Sequence, residues 1–358
     1  MKEDRQNNME GTHSSGLGEA PRQLPICQLL RPEVSSDLAI LDQSVFTRLS
    51  TLESGISRLS PADAHLFRQA FQKEEVCYAN SWLYTLRSTR SDLGGFGYKF
   101  VGNETLVSIG YHNNSIFLVH PMGPKRFQTV VGLCAKIYNS LKCRIILKKM
   151  DQELYEQLQS TKLFQEYTGD LTLLEEEAFS EHVLELEKLY SPSVGLYNQS
   201  IPFMRKVKRF EKNPIELVAE AEISDIEGNP GFYNLLGYNP EKYYSYSQII
   251  NEVRSQRSNN GKYKVCTYYD EKGTIHGLYT AELLEEGRMG LYCAVSSRSF
   301  PGITEWMDYD FFKRVFNDGM DYLYFGGSET VGVDAYVKKL LPDVPSYLMR
   351  PMEACYRA

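Results

Sequence analysis

The fold is decided by residues 263–296, which read YKVCTYYDEKGTIHGLYTAELLEEGRMGLYCAVS. Three runs rich in Tyr, Val, Thr and Leu are separated by Asp270-Glu271-Lys272-Gly273 and by Glu286-Gly287, which are typical hairpin turns. The pattern predicts a meander of three antiparallel strands. The elements expected here and beyond are strands over 263–269, 274–284 and 289–295, a helix over 303–316, a short buried strand over 322–325, a helix over 331–341 and a strand over 347–349.

The first half of the chain repeats this order of elements. Period-two alternation predicts another meander, and the residues after Pro121-Met122-Gly123-Pro124 have the spacing of an amphipathic helix. The expected elements are strands over 98–101, 105–111 and 115–120, a helix over 127–141, a buried strand over 144–147, a helix over 151–158 capped by Asp151 and a strand over 164–167. Identity between the halves is poor, so the predicted duplication is one of element order.

The remaining segments divide the chain into four parts. Residues 1–37 are polar and predict a mobile tail, 38–172 form a first unit, 173–220 a link and 221–358 a second unit. At the start of the first unit, residues 38–59 have helical spacing, and Ser60-Pro61-Ala62-Asp63 predicts the start of a second helix. In the link, residues 174–190 have a strong helical pattern, and the densest basic stretch of the chain follows at 202–212.

Composition excludes several classes of protein. The 358 residues carry Lys+Arg 39 against Asp+Glu 46, a net charge of -7, which argues against a generally basic nucleic-acid binder. No apolar run approaches the roughly 20 residues of a membrane span, and no signal peptide is recognisable. The 7 cysteines are scattered singly, with no spacing that suggests a metal site. We expect reduced, buried thiols in a cytoplasmic protein without a bound metal.

The order of meander, helix, buried strand, helix and strand resembles the GNAT acyltransferase fold. Two such units in one chain are similar to the Fem-type aminoacyl-tRNA-dependent transferases, and especially to soluble relatives of the phosphatidylglycerol lysyltransferase C-terminal domain. The resemblance covers roughly residues 60–358 and is carried by residues 78–84 (YANSWLY), 205–210 (RKVKRF) and 322–339 (YLYFGGSETVGVDAYVKK). It implies an α/β (α+β) fold of tandem GNAT-like units, each a mixed twisted sheet flanked by helices.

The resemblance also implies an activity. Fem-type proteins transfer an aminoacyl group from a charged tRNA to an amine or hydroxyl, and one branch of them serves natural product biosynthesis with a small-molecule acceptor. The membrane-embedded half of the lysyltransferases has no counterpart in this sequence, which makes a lipid acceptor less expected. Aminoacyl-tRNA would then be a co-substrate, and no other cofactor is implied.

Two alternatives remain open at this point. An acyl-CoA-dependent N- or O-acyltransferase of the same fold needs a run of small residues that lets backbone N–H groups approach a pyrophosphate. Residues 296–304 (SSRSFPGIT) retain Arg298 and Gly302 of such a clamp, but the spacing is one residue too long, and residues 122–125 of the first unit have none. The other alternative is a non-catalytic binding protein built on a decayed transferase fold.

An aminoacyl ester is already activated, so the site needs only an oriented nucleophile, a proton acceptor and donors for the oxyanion. We expect the reaction where the fourth and fifth strands of the second unit separate. Candidate catalytic residues are Glu329, Ser296 and Ser328, and candidate substrate-binding residues are Asn80, Arg298, Gly302, Tyr292, His276 and Lys338. Plainer roles stay open: Glu329 and Ser328 as helix caps, Arg298 in an ion pair, Lys338 near a helix end and His276 as a structural histidine.

The basic segment is the predicted contact for tRNA phosphates. Arg205, Lys206, Lys208 and Arg209 are interleaved with Val207 and Phe210, which also suits a solvated helix face. Only the acceptor end of a tRNA must enter such a site, so a single patch suffices, with Tyr or Phe rings stacking unpaired bases. The sequence does not indicate the acceptor, the amino acid or the oligomeric state.

Overall fold

The computed structural model describes residues 36–74, 76–89, 97–112, 115–160, 171–172, 181–190, 202–212, 214–220, 230–236, 246, 250–254, 262–325, 336, 346–347 and 350–354. Its helices are α1 Ser36–Leu52, α2 Ala64–Phe71, α3 Trp82–Ser88, α4 Arg126–Leu141, α5 Gln152–Ser160, α6 Leu186–Tyr190, α7 Pro202–Lys212, α8 Pro230–Leu235 and α9 Ile303–Asn317. Its strands are β1 Ile56–Arg58, β2 Tyr98–Gly102, β3 Thr105–His112, β4 Ser115–Met122, β5 Arg144–Met150, β6 Leu171–Thr172, β7 Glu181–Glu185, β8 Leu217–Glu220, β9 Tyr263–Asp270, β10 Ile275–Glu285, β11 Arg288–Ser296, β12 Tyr322–Phe325, β13 Ser346–Tyr347 and β14 Arg350–Ala354.

Local sequence signals explain several of these boundaries. Ser60 precedes a single 3-10 turn, and the Asp63 carboxylate accepts the Ser60 backbone N–H at 2.8 Å, which fixes the start of α2. The Asp151 carboxylate accepts the Leu154 N–H at 2.8 Å and caps α5 as expected. Residues 56–58, however, form an edge strand rather than the end of the helix predicted over 38–59, because they pair with β2.

Two sheets of seven strands confirm the tandem arrangement. The first has the order β1-β2-β3-β4-β5-β14-β6 and the second β13-β7-β12-β11-β10-β9-β8. In each, a three-strand antiparallel meander is followed by one parallel neighbour: β4 pairs in parallel with β5, and β11 with β12. The helix between the parallel strands is α4 in the first unit and α9 in the second. The structure therefore has two GNAT-like units, each a mixed sheet with helices.

The two units exchange strands at one position. The neighbour of β5 on its free side is β14, from the end of the described chain, whereas the neighbour of β12 is β7, which precedes the second meander. The segment assigned to the link, 173–220, thus contributes β7, α7 and β8 to the second unit. The first sheet therefore contains residues from both halves of the sequence, whereas the described strands of the second sheet all lie after residue 180.

The helix predicted over 174–190 is wrong at residues 181–185. These residues form β7, which is buried between β12 and β13 in the second sheet, and only Leu186–Tyr190 is helical. The helical spacing of its apolar residues was outweighed by pairing with strands more than a hundred residues further along the chain. The predicted strand at 164–167, most of the helix over 331–341 and the tail up to residue 35 lie outside the described residues.

Apolar clusters hold the units together. One lies between the first sheet, α1 and α4, and a second lies between the second sheet, α7 and α9. A third joins the units, since Tyr78 and Leu83 pack with Leu278, Tyr292 and Tyr324 on the opposite face of the second sheet from α9. None of the helices in the described part of the chain is long and apolar enough to cross a membrane.

Candidate active site of the second unit

The structure describes the β11 side of the expected site. β11 pairs with β12 from Arg288 and Tyr322 to Leu291 and Phe325, the last described residue of β12, and β11 continues to Ser296 in antiparallel pairing with β10. Ser296 is half-buried and pairs only with Gly277 of β10. The residues that follow Phe325, including Glu329, Ser328 and Lys338, lie outside the described part of the chain. Their assigned roles stay predictions.

The loop from Ser297 to Gly302 connects β11 to α9 and is held by its own hydrogen bonds. The Ser297 hydroxyl accepts the Ser299 N–H at 3.1 Å, and the Thr304 hydroxyl donates to the Ser297 carbonyl at 2.9 Å. Gly302 has φ +86°, and a Cβ there would lie 2.3 Å from the Lys206 carbonyl oxygen. Gly302 is therefore needed both for the turn and for the close approach of α7 to the start of α9.

An Asp–His pair lies beneath this loop. His276 Nε2 is 3.2 Å from Asp270 Oδ2, and the His276 carbonyl accepts the Ser297 N–H at 2.7 Å. Although burial acts to raise it, hydrogen bonds from Thr274, His276 and Lys272 hold the pKa of Asp270 below its ordinary value. An ionised carboxylate only accepts, so the proton of a neutral His276 is on Nε2 and the acceptor nitrogen is Nδ1.

The predicted basic segment is the amphipathic helix α7. Its apolar residues Phe203, Met204, Val207 and Phe210 are buried, and Phe210 contacts Trp306 of α9 with ring centroids 5.4 Å apart. Its cations Arg205, Lys206, Lys208 and Arg209 are exposed. Lys206 forms an ion pair of 2.5 Å with Glu305 in the first turn of α9. The helix thus presents positive charge beside the 297–302 loop.

The sequence interpretation missed a buried carboxylate on α9. Asp308 is 4% exposed and accepts hydrogen bonds from the hydroxyls of Tyr279, at 2.6 Å, and Tyr336. Burial raises the pKa of Asp308 to about 6. The available signal was its spacing three and four residues before Phe311 and Phe312, which places it on the apolar face of the predicted helix.

Asn80 lies away from this loop, in the 78–84 segment of the first unit. It is buried, and its side-chain oxygen accepts from His120 Nε2 at 2.8 Å and from the Cys77 thiol at 3.2 Å. Burial lowers the pKa of His120 to about 4, so this histidine is neutral at physiological pH. Tyr292 is on β11 but packs in the cluster that joins the units. The structure therefore groups Ser296, Arg298, Gly302 and His276, and it separates Asn80 and Tyr292 from them.

The rest of the 78–84 motif docks the first unit onto the second. Glu282 is buried and accepts the Ser81 hydroxyl and the Leu83 N–H, each at 2.9 Å. Glu181 accepts the Tyr78 N–H at 2.9 Å and pairs with Lys149 at 2.6 Å. Trp82 donates its indole N–H to Glu252 at 3.1 Å. We name the contacts of these three glutamates the glutamate seam.

The start of α4 is the first unit's equivalent of the 297–302 loop. The Gly123 N–H donates to the Glu74 carboxylate at 2.8 Å, and Arg126 pairs with Asp151 at 2.6 Å and Glu153 at 3.0 Å. A cavity of about 870 Å³ lies here, with Glu74, Glu104 and Glu153 in its lining. A carboxylate thus occupies a backbone donor that a phosphate clamp would need, as the lack of a clamp motif at 122–125 suggested.

The described cysteines behave as expected. Cys77, Cys134, Cys143, Cys266 and Cys293 are all buried, and none of these five forms a disulfide. Burial raises the pKa of Cys134 and Cys293 to about 12, which leaves the thiols protonated and poor nucleophiles. Covalent catalysis by these thiols is therefore disfavoured.

Comparison with known proteins shows the fold alone. No protein-family model matches the sequence, and no curated protein is a significant sequence match. A conserved protein of unknown function from Bacteroides thetaiotaomicron superposes with a TM-score of 0.60 at 13% identity, over 84% of this chain and 99% of that one. FemX superposes with a TM-score of 0.51 at 10% identity, over 84% and 97%. A tandem GNAT protein from the clavulanic acid biosynthesis pathway gives 0.49 at 10% identity, over 85% and 99%.

Proposed function

We propose that the protein transfers an aminoacyl group from a charged tRNA to an amine or hydroxyl of a small-molecule acceptor, in the manner of the Fem-type transferases whose fold it shares. The observation that carries the proposal is the position of α7. Its exposed cations lie beside the loop between β11 and α9, because Gly302 in that loop closely approaches the backbone of α7. Positive charge at the edge of an otherwise acidic protein suits the acceptor end of a tRNA.

The proposed reaction is a single acyl transfer from an activated ester. The ester bond of aminoacyl-tRNA breaks as the acceptor amine or hydroxyl attacks its carbonyl carbon, and the tRNA 3′-terminal hydroxyl leaves. Ser296 and the backbone around it lie at the strand end, where donors to the oxyanion are needed. Glu329 is the proposed proton acceptor, and His276 is a second candidate because Asp270 orients its ring.

Acyl-CoA is the competing donor, and two contacts argue against it. At the start of α9, the backbone of α7 comes so close to Gly302 that a Cβ would not fit. At the start of α4, the Gly123 N–H is taken by Glu74. A pyrophosphate would therefore have to compete with Glu74 at the start of α4 and fit beside the backbone of α7 at the start of α9.

The test is release of the aminoacyl group from each of the twenty radiolabelled aminoacyl-tRNAs in the presence of candidate amine and hydroxyl acceptors. We expect release above the rate of spontaneous hydrolysis for one or a few of them, abolished by prior ribonuclease treatment. Thermal-shift measurements with acetyl-CoA and longer acyl-CoAs form the second arm, since a bound donor stabilises the folded state. Acyl-CoA stabilisation with no tRNA-dependent release would overturn the proposal.

The contribution of α7 is tested separately. Lys208→Ala combined with Arg209→Ala should weaken tRNA binding and reduce its dependence on salt, because two phosphate contacts are lost. Lys125→Ala removes an exposed cation of the first unit and serves as the matched control. Equal binding by the double variant and the control would remove α7 from the tRNA contact.

A further inference from the structure

Phe300 is an exposed aromatic ring in the loop between β11 and α9. In the described part of the chain, three large apolar side chains are exposed: Val101 and Val218, each at 42%, and Phe300 at 37%. A single exposed apolar side chain is ordinary on a protein surface, so its meaning depends on the groups around it. Of these three, Phe300 is the aromatic residue, and it lies between Ser296 and α9.

The ring is held in place from below. Phe300 meets the buried His276 ring edge to face, with centroids 5.9 Å apart. His276 is in turn fixed by Asp270 and by the backbone bond to Ser297. The hydrogen bonds of Ser297 with Ser299 and Thr304 restrain the loop on both sides of the ring. A ring restrained in this way loses little conformational entropy when a flat ligand stacks on it.

Positive charge lies next to this ring. Arg298 is exposed two residues before it, and Gly302, two residues after it, touches the backbone of Lys206. α7 carries five cationic side chains against the single carboxylate of Glu211. Lys206 is paired with Glu305, and Arg209, one helical turn further along α7, is also exposed. A flat apolar surface bordered by cations is complementary to an unpaired nucleotide with its phosphate.

We infer that Phe300 is a stacking platform for an unpaired base at the 3′ end of the RNA donor, with Arg298 and Arg209 contacting the adjacent phosphates. This inference rests on the proposed function and adds the residue that distinguishes a single-stranded RNA end from a duplex. Stacking on an aromatic side chain is tolerant of base identity, so the platform recognises the unpaired end of any tRNA. Selection of the amino acid must then take place elsewhere.

The experiment compares two RNA hairpins, one with an unpaired 3′ CCA tail and one blunt, in fluorescence anisotropy titrations. Wild-type protein should bind the tailed hairpin more tightly. Phe300→Ala should weaken binding of the tailed hairpin by about 5-fold to 100-fold and leave the blunt hairpin unchanged, as expected for one stacked base. Phe300→Tyr keeps a flat ring and should bind like wild type. Val218→Ala removes a similarly exposed apolar side chain of the second unit and is the matched control.

Three results would overturn the platform: equal binding of both hairpins by wild type, an unchanged preference in Phe300→Ala, or competition by coenzyme A alone with no binding of tailed RNA. Its failure is distinguishable from failure of the proposed function. If tRNA-dependent release of amino acid proceeds in Phe300→Ala with unchanged KM, the platform is wrong and the transferase stands. If wild type releases nothing from any charged tRNA, the transferase itself is wrong.

Discussion

Asp308 shows how a single buried group couples this fold to pH. Its pKa rises from 3.8 in the unfolded chain to about 6 in the folded one because it is buried on the inner face of α9, an effect that outweighs the hydrogen bonds from the Tyr279 and Tyr336 hydroxyls, which act to lower it. A raised pKa means that the Asp308 carboxyl stays protonated to a higher pH in the folded state than in the unfolded state. The contribution of Asp308 to stability is therefore greatest below about pH 4 and is lost as the pH rises through 6.

The corresponding prediction concerns Asp308→Asn. The asparagine cannot ionise, so the variant should avoid a pH-dependent loss of up to about 3 kcal/mol in the free energy of unfolding between pH 4 and pH 7. Urea denaturation of wild type and variant at pH 4 and pH 7 measures how much the free energy of unfolding of each protein changes between the two pH values. The assignment of this titration to Asp308 fails if the two proteins lose stability in parallel.

Gly302 and Gly273 form a natural pair for testing the contact between α7 and α9. Both have positive φ, at +86° and +76°, but a Cβ at Gly302 meets the Lys206 carbonyl, whereas nothing lies within 4 Å of one at Gly273. Gly273→Ala should cost only the backbone strain of about 1–2 kcal/mol. Gly302→Ala should cost clearly more, and the melting temperatures of both variants measure this. Equal losses would show that α7 is not pressed against the start of α9.

At the scale of elements, the 78–84 segment fastens one unit to the other through buried carboxylates. Although burial acts to lower it, Glu181 holds the pKa of Lys149 above its ordinary value, as expected of a closed ion pair. The pair spans the units, since Lys149 is in β5 and Glu181 in β7. Removing one partner of such a pair leaves a buried charge without its counterion.

Lys149→Met should therefore lower the free energy of unfolding by about 3–5 kcal/mol. The matched control is Lys125→Met, because the Lys125–Glu104 pair has a similar length of 2.7 Å but is exposed, and its loss should change the free energy of unfolding far less. Denaturant titrations of both variants separate the two cases. Comparable losses would mean that the glutamate seam is no stronger than a surface contact.

Elements specified by neighbouring residues in the sequence could be predicted. Elements that depend on pairing with residues far away in the sequence could not. The meander around Gly273 and Gly287 and the cap at Ser60 were confirmed because the chain signals its own turns and helix starts. β7 was predicted as a helix because its pairing with β12 is invisible in local spacing. The candidate site was predictable only in part: the loop of Arg298 and Gly302 was recognised as a motif, but Asp308 and the docking role of residues 78–83 depend on tertiary contacts.

At the scale of the whole molecule, strand exchange makes the two units interdependent. β14 lies between β5 and β6 in the first sheet although it follows the entire second unit in sequence. Deleting residues 350–358 removes the strand that pairs with the free side of β5. Hydrogen exchange should then accelerate in β5 far more than in β11, which has both of its neighbours in place. Unchanged protection of β5 would contradict the exchanged topology.

If α7 receives the acceptor end of a charged tRNA, as we propose, removing its exposed cations should slow transfer of the aminoacyl group. The most direct measurement is single-turnover release of radiolabelled amino acid from charged tRNA in the presence of candidate amine and hydroxyl acceptors. It is run with wild type, with the Lys208→Ala and Arg209→Ala double variant and with Lys125→Ala. We expect ribonuclease-sensitive release by wild type and by Lys125→Ala, and release slowed by about 10-fold or more in the double variant at subsaturating tRNA. No release by wild type from any of the twenty charged tRNAs, together with turnover of an acyl-CoA, would contradict it.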